Sequence, residues 1–271
     1  MIQTLHTDRA ITKLICSSGG NAGHSVATIG QALGIPVDVY VPTTTMRLMI
    51  NKISSTGAKV TVAGNNWNEA DAEARKSLEA EIGSQYIPPF DHPLIWEGHS
   101  SIVEELTTNM TKPPDTIICS VGGGGLLRGI QIGLERVGWL QTKILAVETE
   151  GAASFAAAKK AGKPTKIDKI STIATTLGAL EVTGSTLESS IETISVVVSD
   201  ESAVRACIQY ADTYRQIVEP SCGASLSIVL LEELSEKYLK KDETIVVIVC
   251  GGSAVSLELL DKWKRQFISE N

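Results

Sequence analysis

Residues 116–127 read Thr-Ile-Ile-Cys-Ser-Val-Gly-Gly-Gly-Gly-Leu-Leu. The run 116–120 is apolar and rich in β-branched side chains, which predicts a buried strand; four glycines end it, and Leu126 opens a helix. The same grammar, an apolar strand with a cysteine near its end and then a turn of small residues, occurs twice more. These are Leu14-Ile15-Cys16-Ser17-Ser18-Gly19-Gly20-Asn21 and Val249-Cys250-Gly251-Gly252-Ser253. In open parallel sheets ligands bind beyond the carboxyl ends of strands, so the three turns are expected to converge on one pocket.

Outward from this stretch, short β-branched runs alternate with helix-length segments along the chain. Strands are expected over residues 12–16, 37–41, 59–62, 116–120, 144–149, 195–199 and 244–250. Helices are expected over 23–33, stopped by Gly34-Ile35-Pro36, over 45–55 before Gly57, over 68–82 before Gly83, and from Asp200, which reads as an N-cap. Alternation of this kind gives an α/β fold, parallel sheets covered by helices. Three prolines between Tyr86 and Pro93 exclude a helix or central strand there. They mark a boundary between a small domain, residues 1–92, and a larger one, residues 93–271. Residues 237–243 read as a solvated loop.

The 271 residues are 43% apolar, 20% charged and 4% aromatic, enough for one large or two small globular domains. No apolar run approaches the roughly 20 residues of a membrane span, and no charged-then-apolar leader opens the chain, so neither membrane insertion nor secretion is expected. Twenty-four basic against thirty-one acidic residues leave a net charge of −7. That sign opposes a nucleic-acid surface and favours a small-molecule partner. Five cysteines without C-x-x-C spacing fit a reducing compartment, the cytoplasm with mitochondrial residence left open, and argue against disulfides or structural zinc.

Backbone N–H groups of Gly122, Gly123, Gly124 and Gly125, unshielded by any Cβ and placed where a helix begins, suit a phosphate; the plainer use of these glycines is close approach of strand and helix. A dinucleotide fingerprint fails, because no frame puts glycine at all three G-x-G-x-x-G positions. Asn21 has two uses that fit its place equally, a ligand hydrogen bond and a cap for the following helix. His24, His92 and His99 read as packing or loop residues, Trp96 and Glu97 as holding the start of a helix, and Cys119 and Cys207 as small buried apolar residues.

Six segments, 17–24 (SSGGNAGH), 88–99 (PPFDHPLIWEGH), 120–126 (SVGGGGL), 147–149 (VET), 218–224 (VEPSCGA) and 249–253 (VCGGS), together resemble the eukaryotic L-serine dehydratase/L-threonine deaminase family. The resemblance runs from about Ile15 to Phe267 in order. It implies a pyridoxal-phosphate (PLP) enzyme of the tryptophan-synthase-β-like fold, with serine and threonine as substrates and a homodimer as the expected assembly. It also implies roles. Gly122, Gly123, Gly124, Gly125 and Leu126 would hold the cofactor phosphate, Asn21 the pyridine 3′-oxygen, and Cys250 would face the pyridine nitrogen. Ser18, Gly19, Gly20 and Asn21 would receive the substrate carboxylate, Gly19 leaving room for either substrate. Glu148 with backbone oxygens of Gly122, Ala152 and Leu177 would form a monovalent-cation (K+) site.

In this family a Ser-Phe-Lys segment some twenty residues upstream of the Ser-Ser-Gly-Gly-Asn loop supplies the Schiff-base lysine and general base. No Ser-Phe-Lys occurs in these 271 residues. Lys13 lies inside an expected strand and reads as a strand-start lysine. The fold is therefore expected to be incomplete at its N-terminus, with residues 1–13 a short leader, apolar edges uncovered and no turnover by the chain alone. The alternative is a non-catalytic homologue that binds PLP or a partner.

Overall fold

The computed structural model describes residues 1–8 and 10–268. The chain forms two compact units, Met1–Pro89 and Phe90–Asn271. In the first the order is α1 (Ile2–Asp8), β1 (Lys13–Cys16), α2 (Asn21–Leu33), β2 (Val37–Val41), α3 (Arg47–Ser54), β3 (Lys59–Val62), α4 (Trp67–Ala80) and β4 (Ser84–Tyr86). The strands make one parallel sheet in the order β3-β2-β1-β4. β1 and β2 are buried nearly throughout, so their apolar side chains face helices on both sides.

The second unit runs α5 (Pro93–Asn109), β5 (Thr116–Ser120), α6 (Gly125–Val137), β6 (Lys143–Thr149), α7 (Ser154–Ala161), β7 (Thr193–Val198), α8 (Asp200–Tyr214), α9 (Pro220–Leu230), α10 (Glu232–Tyr238), β8 (Ile245–Val247) and α11 (Leu257–Phe267). Its sheet is also parallel, ordered β7-β6-β5-β8, with Ile118 opposite both Leu145 and Val247. β5 is central and fully buried, which is why the residues that follow it emerge in the middle of the carboxyl edge. The α/β architecture is the expected one. Among the described residues no helix is long and apolar enough to cross a membrane.

The departures have local causes. β4 escapes sequence reading because three residues before two prolines are too few to show a period. Pro93 does not exclude a helix; it starts α5 at a first-turn position where its missing N–H costs nothing. Pro220 does the same for α9. The strand expected over 244–250 stops at Val247, although Ile248 N–H still donates to Ile118 O at 2.9 Å. Nor are residues 237–243 a free loop: α10 reaches Tyr238, and the Glu243 carboxylate pairs with Lys143 Nζ at 2.8 Å. Within residues 1–13, α1 packs Ile2 into the first unit's core, with Leu5 against it.

Candidate functional site

The loop after β5 is closed on its side-chain face. A Cβ built on Gly123 would stand 2.2 Å from the Phe90 ring, one on Gly124 2.6 Å from Val182 Cγ2, and one on Gly125 2.7 Å from Phe90 O. Gly124 also has φ +88°, a left-handed value that favours glycine. The close-approach use of these glycines is therefore real. Their amide face is different. Val121 N–H donates to Val147 O and Arg128 N–H to Gly124 O, but among the described residues no protein group accepts from the N–H of Gly122, Gly123, Gly124, Gly125 or Leu126. Five such donors, three on the loop and two opening α6, where the helix dipole is positive, make a cradle for an anion the size of phosphate. The residues fit that group.

On the neighbouring strand the chain leaves β8, passes Cys250 and turns through Gly251 (φ +73°) and Gly252 (φ +96°). Cys250 is exposed, yet the protein packed about its sulfur, then Cys222 and Glu219, raise its thiol to about 11, so it is neutral near pH 7. The device that shapes this turn is Glu219, to which the sequence assigned no role. Glu219 is 4% exposed. Its N–H donates to Gly251 O at 2.8 Å, its Oε2 accepts from Ala254 N–H at 3.0 Å, and its Oε1 accepts from the Thr176 hydroxyl. Thr176 Oγ1 also meets Ser221 Oγ at 2.5 Å, and Ser221 O accepts from Ser120 Oγ at 2.6 Å. These bonds join the carboxyl ends of β5 and β8 to the start of α9. Two of the three turns thus lie at the same carboxyl edge of the second unit's sheet.

The third turn lies in the first unit and is anchored at its base. Ser17 is fully buried at the end of β1; its Oγ meets Asp71 Oδ1 at 2.7 Å and the Tyr86 hydroxyl at 2.8 Å. Arg75 Nε donates to Asp71 Oδ2 at 2.7 Å and its guanidinium lies 4.7 Å over the Tyr86 ring. Burial pulls the Asp71 carboxyl up, but the Tyr86 and Ser17 hydroxyls and Arg75 outweigh it and hold it below the usual range. Gly20, not Asn21, is the N-cap of α2, and Asn21 is the first helical residue. Ser18 Oγ accepts from Gly20 N–H at 3.3 Å. Gly19 does not open space as expected: a Cβ there would be 2.7 Å from Thr45. Lys13 begins β1 and its Nζ pairs with Asp38 at 3.3 Å and Glu81 at 2.5 Å, a structural use.

Glu148, fully buried near the end of β6, accepts from Phe155 N–H at 2.7 Å and Ala156 N–H at 2.8 Å, so it caps the start of α7. Burial lifts its carboxyl to about 7 against the pull of those two donors. Of the residues expected around a cation, Gly122 and Leu177 approach to contact, 3.2 Å between the position of a Gly122 Cβ and Leu177 Cα, and Ala152 is fully buried. The hydroxyls of Thr149 and Ser154, beside these residues in sequence, are buried without a protein partner among the described residues. His92 Nδ1 caps α5 by accepting from Leu94 N–H at 3.1 Å, and burial lowers the His99 pKa. Trp96 Nε1 donates to Phe90 O at 2.9 Å and Glu97 pairs with Arg136 at 2.5 Å, both holding α5 in place.

Residues 1–251 match the family described as pyridoxal-phosphate dependent enzyme. A rat protein named serine dehydratase-like is 43% identical over 265 residues, 95% of this chain and 80% of its own length. The human L-serine dehydratase/L-threonine deaminase is 42% identical over 259 residues, 93% of this chain and 79% of its own. A solved fungal L-serine ammonia-lyase from Rhizomucor miehei superposes with a TM-score of 0.90 at 34% identity, covering 98% of this chain and 86% of that one. With two parallel helix-covered sheets and an amide cradle after β5, the chain belongs to the family of pyridoxal-phosphate-dependent enzymes, whose cofactor is pyridoxal phosphate.

Proposed function

We propose that this chain carries the site of an L-serine and L-threonine ammonia-lyase, which converts serine to pyruvate and ammonia and threonine to 2-oxobutyrate and ammonia. Bound pyridoxal phosphate supplies an electron sink for the negative charge left at the α-carbon when its proton is removed. The protein's part is to bind and orient. In the second unit the N–H groups of Gly122, Gly123, Gly124, Gly125 and Leu126 take the phosphate, and Cys250, a neutral thiol, takes the ring-nitrogen position without imposing a charge there. In the first unit Asn21 is assigned the ring 3′-oxygen, and Ser18, Gly19 and Gly20 the substrate carboxylate on a loop that Asp71 anchors through Ser17. Glu148 with the carbonyls of Gly122, Ala152 and Leu177 is assigned a potassium ion.

The observation that carries this reading is the row of five unaccepted N–H groups on a loop whose other face admits no Cβ. No Ser-Phe-Lys is present among the 271 residues, and a missing general base costs about 10²–10⁴-fold in rate. The chain alone is therefore proposed to bind PLP without turnover. The test is purified chain with PLP and serine: saturable quenching of tryptophan fluorescence by PLP is expected, and steady pyruvate release at ordinary enzyme rates would refute the inactivity. The alternative reading is a non-catalytic PLP-binding homologue. Joining a Ser-Phe-Lys-bearing segment from a relative ahead of Met1 separates the two, because pyruvate formation restored by the segment supports the lyase and a persistently silent protein supports the binder.

A further inference from the structure

Glu219 commits its backbone and both carboxylate oxygens to one purpose. Its N–H takes Gly251 O, Oε2 takes Ala254 N–H, and Oε1 is held by Thr176, itself tied to Ser221. Gly252 passes so close that a Cβ on it would stand 2.0 Å from Glu219 Cδ. A left-handed pair of glycines is conformationally permissive, so the turn needs an external constraint to hold one shape. Glu219 is that constraint: its main-chain N–H holds Gly251 O before Gly252, and its buried carboxylate holds Ala254 N–H after it.

We propose that Glu219 is a positioning residue: by gripping Gly251, Gly252 and Ala254 it fixes the direction in which Cys250 is presented to a bound cofactor ring, a role that rests on the assignment of Cys250 to the ring nitrogen. Alanine at 219 removes both acceptors. Glutamine keeps the shape, since its carbonyl can accept from Ala254 N–H while its amide donates to Thr176 Oγ1.

The experiment follows backbone amide exchange of the full chain by mass spectrometry, with PLP titrated separately against tryptophan fluorescence. Glu219→Ala is expected to speed exchange over residues 250–256 about tenfold and to raise half-saturation by PLP about tenfold, with residues 37–41 and 116–120 unchanged. Glu219→Gln is expected to return both readouts to within about twofold of the parent. Loop exchange unaltered in the alanine variant, or faster exchange with unaltered PLP half-saturation, overturns the proposal. Should the alanine variant unfold, with exchange rising throughout, Thr176→Val decides: acceleration confined to residues 250–256 with weaker PLP binding supports the role, and no change overturns it. A parent chain that PLP does not saturate refutes the cofactor assignment instead, and the exchange comparison then decides whether Glu219 holds the loop.

Discussion

A carboxylate and a glycine show how much single residues carry. Asp71 joins Ser17, Tyr86 and Arg75, and its carboxyl is held below the usual range. A depressed folded pKa means the unfolded chain binds the proton more readily, so the stabilisation is present above the unfolded value of about 3.9 and is lost as pH falls through the folded one. Urea unfolding of the parent between pH 7 and pH 3 is expected to show this loss, and Asp71→Asn to show less of it while being about 1–3 kcal/mol less stable at pH 7. Gly123→Ala would drive a methyl into the Phe90 ring. Overpacking of that kind costs about 1–3 kcal/mol, and a displaced loop loses aligned donors. Urea melts and PLP titration are expected to show both, whereas a variant that binds PLP like the parent would remove the cradle from the argument.

Between elements, α5 packs tightly on α6. The glycines at 125, 129 and 133 recur every fourth residue and so lie on one face of α6. A Cβ at Gly129 would stand 2.3 Å from His99 Cβ, and one at Gly133 2.7 Å from Val103 Cβ. Two effects compete in Gly129→Ala: helix propensity gains about 1 kcal/mol, and overpacking against an atom next to the backbone costs about 1–3 kcal/mol. Since His99 Cβ cannot swing away as a side-chain tip can, overpacking wins and a lower denaturation midpoint is expected. A midpoint above the parent's would show that α5 yields more easily than this packing implies. Helix starts follow an equally local logic, with Pro93 and Pro220 placed where proline is preorganised for the first turn.

For the whole molecule, a ligand bound only by the folded state raises stability by mass action. PLP at about 100 times its dissociation constant is expected to add about 2.7 kcal/mol, which raises Tm by several degrees at this chain length, about 2–4 °C per kcal/mol. Calorimetry with and without PLP checks it, and an unmoved Tm at saturating concentration counts against the cofactor reading. Much of this architecture was legible in the chain itself: β-branched runs and glycine turns are local signals, so β2, β3, β5 and the tetraglycine loop stand where their patterns put them, and the family follows from motifs read in order. What the sequence could not reveal depends on partners distant along the chain. Glu219 acquires its role from Thr176 and Ala254, 43 and 35 residues away, Gly19 is closed by Thr45, and Asp71 reaches back 54 residues to Ser17. A pattern of residue types sets periodicity and turn chemistry because those act between near neighbours; which buried polar group meets which donor is decided only when the packed sheet and helices bring them within hydrogen-bonding reach.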